Sequence, residues 1–386
     1  NGITMNEEEK KLGIKGSSTR QVFFNDCEVP VANMLSERQN GFKIAVNILN
    51  IGRVKLGAGV LGGCRTVISQ ATQYANERKQ FNVSISSFGA IKHKLAEMAT
   101  RVYVTESLDY RAGQNIEDKM NDLAASGMDD AQAKLKGVEQ FAIECAIAKI
   151  HSSEVLDYVV DQGLQVYGGM GYSADAPMER AYRDSRIARI YEGTNEINRM
   201  LMIGMILKRA MKGELNMFEP AMAVSKELIS VPTFSTIDKS VLFNAEKEVL
   251  KNLKKVFLMV GGKAAMVLQD KIEDEQEIMM NLADILIEVY AVESAMLRTE
   301  KLISMRGEEA CTDYIAMTQI YMAQAVDRVN AAAKEAIASF TKGDEQKVML
   351  MGLKRFTKMD LVNTKELRRQ VADTMIKEGK FPYFFG

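Results

Sequence analysis

The residues best suited to chemistry lie in the stretch RDSRIARIYEGTNEINR, from Arg183 to Arg199. Its first arginines recur every three residues, and Glu192 continues that spacing. Gly193 then breaks the helical pattern, and Thr194 with Glu196 can start a second helix by capping it and complementing its dipole. A carboxylate on such a break suits a general base, because both flanking helices fix its backbone. A charged, solvated helix explains the same spacing equally well, so these residues alone leave both interpretations open.

Two glycine-rich stretches could also contact a ligand. GAGVLGG, residues 57–63, has the G-x-G-x-x-G spacing of a dinucleotide site, but a helical pattern precedes it where that site requires a strand. We therefore interpret it as small residues that allow close helix packing. QVYGGMGYSADAP, residues 165–177, is a tight turn after a helix. Its bare backbone is as consistent with a helix cap as with close approach to a ligand.

The stretch NERKQF, residues 76–81, places charged side chains and one aromatic ring at the end of a helix. Exposed charge at a helix terminus is the usual explanation for such a pattern. An arginine beside an aromatic ring could instead bind a phosphate group, and the local sequence favours this second interpretation only weakly.

Composition argues against several classes of function. The 50 Lys and Arg residues balance 51 Asp and Glu residues, so no net charge attracts nucleic acid or an anionic membrane. Two histidines and four widely spaced cysteines predict no metal site, no disulfide framework and a reducing, cytoplasmic location. We recognise no signal-peptide pattern, and no uninterrupted apolar run approaches the roughly 20 residues that cross a bilayer.

Proline placement predicts a mainly α fold. None of the five prolines lies in 31–176 or 233–381, as long helices require, because an interior proline removes a hydrogen bond. STRQVFFNDCEVP (18–30) instead predicts a strand, a turn and a short strand, as at the end of a β domain. We expect four parts: a β remnant (1–36), a helical bundle (37–211), a linker (212–240) and a second, C-terminal helical domain or extension (241–386).

The motifs NERKQF, QVYGGMGY and YRDSRIARIYEGTNEI, in this order and spacing, resemble those of the acyl-CoA dehydrogenase family. GIKGSSTRQVFFNDCEVPVANML resembles the end of that family's middle β domain. NLADILIEVYAVESAMLRTEK resembles, more weakly, the C-terminal extension of very-long-chain members. Because the chain opens on Asn1, we expect it to be a fragment, with the family's N-terminal helical domain and most of its β domain upstream.

The resemblance implies a flavoprotein oxidoreductase that uses FAD to dehydrogenate acyl-CoA thioesters, preferentially long-chain ones, to trans-2-enoyl-CoA in fatty acid β-oxidation. Matched motif to motif, Glu192 is the base that removes the α-proton while the β-hydrogen leaves as hydride to the flavin. In the family, the backbone N–H of this glutamate is one of the donors to the thioester oxygen. Some branches place the base at the position of Gly52, and glycine cannot be a base.

The resemblance also assigns binding residues. The expected FAD-binding residues are Arg78, Gln80, Phe81, Gln165, Gly168, Gly169, Thr194 and Glu196. The expected substrate-binding residues are Asn50, Arg53, Tyr191 and Gly193. Gln165, Gly168 and Gly169 match a loop that contacts the FAD of a neighbouring subunit, which implies a homodimer or a larger homo-oligomer.

The implied partners are acyl-CoA as substrate and an electron-transfer flavoprotein as acceptor, with no nucleic acid and with peripheral membrane contact open for the extension. Two alternatives remain: an acyl-CoA oxidase, and a non-catalytic helical partner protein. The presence of Glu192 and of the FAD-matching motifs argues against the second. Nothing in these residues separates the first from a dehydrogenase.

Overall fold

The computed structural model describes residues 2–230 and 237–384, and these residues are mainly α-helical, which confirms the predicted fold class. The helices of the first half are α1 (Gly41–Glu77), α2 (Gly89–Ala125), α3 (Asp130–Gln140), α4 (Ala142–Tyr167), α5 (Gly169–Tyr172), α6 (Pro177–Ser185) and α7 (Asn195–Met211). Those of the second half are α8 (Phe218–Ile229), α9 (Asn244–Leu268), α10 (Gln276–Arg306), α11 (Thr312–Phe340), α12 (Gly343–Phe356) and α13 (Thr364–Glu378).

An antiparallel ribbon opens the chain, formed by β1 (Ile3–Met5) and β2 (Val22–Phe24). The strand predicted in STRQVFFNDCEVP is therefore present, but its partner lies upstream of it. The second strand expected after the turn is absent from the described residues. Pro30, which has no N–H to donate to a ladder, instead precedes a 3₁₀ turn. All six ribbon residues are exposed.

The first-half helices form a bundle around the pair α1 and α4. These two helices run side by side in the same direction: Gly163 packs on Val67, and the Tyr74 and Tyr167 rings stack with centroids 4.1 Å apart. Close packing explains Gly57 of the GAGVLGG stretch, where a Cβ would lie 2.8 Å from an oxygen of Asp109. Close packing is the wrong explanation for Gly59, Gly62 and Gly63 of the same stretch. A Cβ built at any of these three would meet no atom of the described residues within 4 Å.

Part of the expected linker is helical. α8 occupies 218–229 of the predicted linker 212–240, while residues 231–236 lie outside the described residues. Pro220 does not prevent this helix, because it lies in the first turn of α8, where its missing N–H breaks no helical hydrogen bond. The Glu227 carboxylate then pairs with Lys255 of α9 and Arg355 of α12, which attaches α8 to the extension.

The C-terminal helices share one continuous core with the bundle. α10 lies against α2 and α7, and α13 lies against α2. A buried ion pair joins Arg298 of α10 to Glu106 of α2 at 2.9 Å. The segment after α13 folds back onto this core, with Phe381 and Tyr383 buried. Residues 385–386 lie outside the described part.

Within residues 2–230 and 237–384, α1 is the one helix whose length and composition would let it cross a membrane. An 18-residue window of it has a mean hydropathy of 1.4, and 28% of that window is buried. Uninterrupted apolar runs did not predict this, because Arg53 and Lys55 break them. The finding is weak evidence for a membrane segment, since core helices share these properties.

Candidate active site

Glu192 lies on the turn between two helical segments. α6 ends at Ser185, a 3₁₀ turn follows, and α7 begins at Asn195. The Thr194 hydroxyl accepts a hydrogen bond from the Ile197 N–H at 3.2 Å and so caps α7, as the sequence predicts. The break in the helical pattern is therefore real, and Glu192 is not on a continuous solvated helix.

The backbone of this turn is left-handed at two successive residues. Glu192 has a φ of 60° and Gly193 a φ of 83°. Glycine adopts such angles freely, whereas for a residue with a side chain they cost about 1–2 kcal/mol. Other contacts must therefore hold Glu192 in this conformation.

The Glu192 carboxylate occupies the space above Gly52 on α1. A Cβ built on Gly52 would lie 2.5 Å from Glu192 Oε2 and 2.9 Å from Oε1. Any side chain at position 52 would displace the carboxylate. Position 52 and the Glu192 carboxylate thus meet at one point in space, although they are far apart in sequence.

Side-chain donors hold the carbonyl groups of the turn. Arg53 Nε donates to the Glu192 carbonyl at 3.2 Å. Asn198 Nδ2 donates to the Gly193 carbonyl at 2.8 Å and to the Thr194 carbonyl at 3.0 Å. The Glu192 N–H, by contrast, has no acceptor among the residues that the structure describes. It remains available to a ligand.

The expected substrate-binding residues gather at this turn. Arg53 and Asn50 are both buried, and Arg53 Nη1 donates to Asn50 Oδ1 at 2.8 Å. Burial lowers the pKa of the Arg53 guanidinium, and the nearby Cys145 and Glu192 oppose that effect. Tyr191 is 45% exposed beside Glu192. Burial raises the pKa of its phenol, and the Glu192 carboxylate raises it further.

Two of the expected FAD-binding residues also lie here. Thr194 is the α7 cap described above. Glu196, in the first turn of α7, is exposed, and hydrogen bonding to its own backbone N–H lowers the pKa of its carboxyl. Both are separated from the other six expected FAD-binding residues.

Those six lie at the opposite end of the α1 and α4 pair. Arg78, Gln80 and Phe81 belong to a hairpin of β3 (Lys79–Gln80) and β4 (Val83–Ser84) that directly follows α1. All three are exposed, and Phe81 is 86% exposed with a φ of 52°. The hairpin therefore presents a cation, an amide and an aromatic ring to the outside of the chain.

The glycine loop adjoins this hairpin. Gln165, Gly168 and Gly169 are exposed at the end of α4, next to the Tyr74–Tyr167 stack that lies at the end of α1. Gly168 has a φ of 59° and a ψ of −138°, a conformation essentially restricted to glycine. The structure thus brings the two FAD-matching motifs together, and it places both far from Glu192. From Arg53 to Tyr74 is about 20 residues of α1, or about 30 Å.

The sequence analysis missed a group of residues behind the Glu192 turn. α4 contains the run KIHSSE (149–154), of which Lys149, His151, Ser152 and Ser153 are buried. Lys149 Nζ donates to the Gly193 carbonyl at 2.8 Å and to Asn195 Oδ1 at 2.7 Å. A polar run inside a helix that is otherwise apolar was the available signal, because buried polar groups require partners.

Comparison with known proteins bears on the nature of this site. Two models, both described as "Acyl-CoA dehydrogenase, C-terminal domain", match residues 39–207 and 252–355. A probable acyl-CoA dehydrogenase of Bacillus subtilis is 41% identical over 380 residues, which are 98% of this chain and 64% of that protein. The chain belongs to the acyl-CoA dehydrogenase family.

A solved family member extends the likeness to the fold. The crystal structure of an acyl-CoA dehydrogenase from Bacillus anthracis, complexed with FAD, has a TM-score of 0.94 and is 40% identical. The match covers 99% of this chain and 65% of that one, so the chain spans about two thirds of the length of such relatives. Acyl-CoA oxidase 1 of Yarrowia lipolytica, with a TM-score of 0.72 and 15% identity, shares the fold.

Proposed function

We propose that the protein containing this chain is an FAD-dependent acyl-CoA dehydrogenase in which Glu192 is the catalytic base. The observation that carries the proposal is the Glu192 carboxylate, held over Gly52 in a left-handed turn beside the buried Arg53. The probable and FAD-complexed acyl-CoA dehydrogenases that resemble the chain over nearly its whole length support it.

The geometry of the turn suits proton removal next to a thioester carbonyl. The carboxylate of Glu192 would take the α-proton as the Cα–H bond breaks, and the thioester oxygen would gain negative charge. The Glu192 N–H, which has no acceptor in the described part of the chain, can donate to that oxygen. A fixed donor aimed at developing charge stabilises a transition state more than mobile water does.

The residues at the far end of the bundle fit FAD. The exposed Arg78 suits a phosphate, the exposed Phe81 ring suits stacking, and the bare backbone of Gly168 and Gly169 allows close approach. When bound, FAD would accept the β-hydrogen as hydride, so that one proton and one hydride leave the acyl-CoA together.

We further propose that each flavin is bound between two copies of the chain. The hairpin and glycine loop lie about 30 Å along α1 from the Glu192 turn. At that distance the hairpin, the loop and Glu192 of one chain cannot all contact the reacting end of the same flavin. A homodimer would let one copy supply Glu192 and the other supply the hairpin and the loop. Thr194 and Glu196 would contact the flavin from the Glu192 side.

Complementation tests this arrangement. Glu192→Gln and Arg78→Glu variants, each inactive alone, would be co-expressed with different affinity tags. If sites are shared between copies, hybrid dimers contain one intact site, and the mixture recovers about a quarter of wild-type activity. Activity no higher than that of either single variant would contradict the shared site.

The base assignment has its own test. Glu192→Gln keeps the shape of the side chain and removes its ability to take a proton, so the variant should bind FAD normally. We expect palmitoyl-CoA to bleach the flavin absorbance of the wild type and not that of the variant. The matched control is Glu214→Gln at an exposed site. Bleaching of Glu192→Gln at the wild-type rate would refute the base assignment.

We propose long-chain acyl groups as substrates in fatty acid β-oxidation. An apolar groove of about 420 Å³ lies at the start of α1, lined in part by Leu35, Ile44 and Ile48. Ile48 lies one helical turn before Gly52 on the same face, so the groove leads toward the Glu192 carboxylate. A very-long-chain specific acyl-CoA dehydrogenase of rat and a short-chain specific one of pig match about half of the chain at 41% and 37% identity, so the groove alone carries this proposal.

A comparison of substrates tests the chain length. We expect kcat/KM for palmitoyl-CoA to exceed that for butyryl-CoA by about tenfold or more, because added methylenes bury further apolar surface in the groove. Ile48→Trp should narrow the groove and reduce the ratio. Equal values for both substrates would refute the long-chain preference and leave the base assignment intact.

For the electron acceptor we propose an electron-transfer flavoprotein. The acyl-CoA dehydrogenases that match nearly the whole chain at about 40% identity support this, whereas the oxidase matches at 15% and shares the fold. Reduced enzyme should reoxidise slowly in air and rapidly with an electron-transfer flavoprotein from the same source. Stoichiometric hydrogen peroxide during turnover would identify an oxidase instead.

A further inference from the structure

Lys149 is a buried charge beside the Glu192 turn. Its side chain is fully buried in α4, and no carboxylate of residues 2–230 or 237–384 forms an ion pair with it. Its ammonium instead donates to the Gly193 carbonyl at 2.8 Å and to Asn195 Oδ1 at 2.7 Å. Burying an ammonium group away from a counter-ion costs several kcal/mol, so a buried lysine here needs a reason beyond packing.

The environment opposes the charge of this lysine. Burial lowers the pKa of the Lys149 ammonium to about 8, and the neighbouring Arg53 lowers it further. The carboxylates of Glu154, Glu196 and Glu192 partly oppose this effect. A neutral side chain of the same length would avoid the cost. Such a side chain could not make the two hydrogen bonds that Lys149 donates to Gly193 and Asn195.

One acceptor of Lys149, the Asn195 side chain, makes further hydrogen bonds. Asn195 Nδ2 donates to Ser153 Oγ and to Glu154 Oε1, each at 3.0 Å. The Glu154 carboxylate pairs with Arg199 at 2.8 Å. The hydrogen bond to Asn195 therefore fixes the Lys149 ammonium group. Its second hydrogen bond then restrains the Gly193 carbonyl.

The Gly193 carbonyl belongs to the Gly193–Thr194 peptide, the second peptide after Glu192. Its position depends on the left-handed angles of Glu192 and Gly193, which are unfavourable for the glutamate. Arg53 holds the preceding carbonyl and Asn198 holds the Gly193 carbonyl from the α7 side. Among residues 2–230 and 237–384, Lys149 is the one donor that connects this peptide to α4, on which the turn packs.

We propose that Lys149 is a positioning residue for Glu192. By fixing the Gly193 carbonyl to α4, it keeps the turn in the left-handed conformation that places the carboxylate over Gly52 and leaves the Glu192 N–H free. This rests on the proposed function for its catalytic consequence, but the conformational consequence does not depend on any activity.

The test compares Lys149→Met, which keeps the length and removes the donors, with Lys136→Met on the exposed surface of α3. Both would be made in the FAD-loaded protein. Lys149→Met should lower kcat about 30-fold with little change in KM, since a displaced base reacts slowly with substrate that still binds. Lys149→Gln, which keeps a donor on a shorter chain, should fall between Lys149→Met and wild type, and it decides the matter if Lys149→Met fails to fold.

Hydrogen exchange provides a readout independent of activity. The hydrogen-bonded amides that flank the turn, those of Tyr191, Ile197 and Asn198, should exchange about tenfold faster in Lys149→Met than in wild type, with α9–α12 unchanged. Unchanged exchange and unchanged kcat would overturn the role of Lys149. If the wild type oxidises no acyl-CoA, the proposed function fails, while the exchange result still decides whether Lys149 holds the turn.

Discussion

The two ends of the α1 and α4 pair are built in opposite ways. At one end, Glu192 lies on a left-handed turn whose carbonyl groups are bonded by Arg53, Lys149 and Asn198. At the other end, the hairpin and glycine loop expose Arg78, Phe81 and a bare backbone. At the first end the turn is held by donors of the same chain, whereas the second end presents its groups outward.

This difference indicates what each end requires. A base must be held in one geometry by its own chain, because a small displacement costs much of the rate. On the proposed function, the hairpin end would gain its contacts only when FAD and a second copy of the chain bind. Substitutions at the Glu192 end should therefore change rate and stability, and those at the hairpin end should change cofactor affinity.

The largest expected effect is at Gly52. Gly52→Ala places a methyl group against the Glu192 carboxylate, so we expect activity to fall at least about 100-fold with FAD still bound. Gly59→Ala on the same helix is the matched control, because its Cβ meets no atom of the described residues within 4 Å. Steady-state rates and flavin content distinguish the two, and equal activity would show that the carboxylate does not depend on the space above Gly52.

A smaller effect concerns pH and the core behind the Glu192 end. His151 is buried between Thr105 and Tyr321, with Glu288 and Arg328 nearby, and burial lowers its pKa to about 4. Below pH 6.5 His151 binds a proton in the unfolded chain but stays neutral in the native chain. The free energy of unfolding should therefore fall as the pH drops from 6.5 to 4, by up to about 3 kcal/mol.

Chemical unfolding at several pH values measures that slope. His151→Gln should flatten it, and His93→Gln, at an exposed histidine, should change it much less. An equal slope in wild type and His151→Gln would exclude His151 as its source.

The smallest expected effects are at the hairpin end, where Gly168 tests backbone strain and Phe81 tests contact with FAD. Gly168→Ala forces a side chain into a conformation essentially restricted to glycine and should lower the free energy of unfolding by about 1–2 kcal/mol. Phe81→Ala removes an exposed ring and should change it by less than about 0.5 kcal/mol. Phe81→Ala should nevertheless weaken FAD binding about tenfold, as measured by flavin titration, whereas unchanged affinity would remove Phe81 from the cofactor site.

Local patterns predicted much of the fold. The proline-free intervals became long helices, and Thr194 caps α7 as its residue type suggests. The predictions were wrong where contacts with distant segments determine the local structure. β2 pairs with an upstream strand, and α8 forms in the expected linker because its residues pack against α9 and α12. Neither pairing leaves a signal within a short window of sequence.

The sequence by itself determined the helical class, the break at Gly193 and the motifs that mark the family, because these depend on residue type and on neighbours a few positions apart. Only the tertiary structure decided that Glu192 lies over Gly52, that Lys149 holds its turn, and that the FAD-matching motifs lie at the far end. Arg53 and Glu192 are 139 residues apart, and Lys149 and Gly193 are 44 apart. Contacts at such separations exist only once the helices have packed.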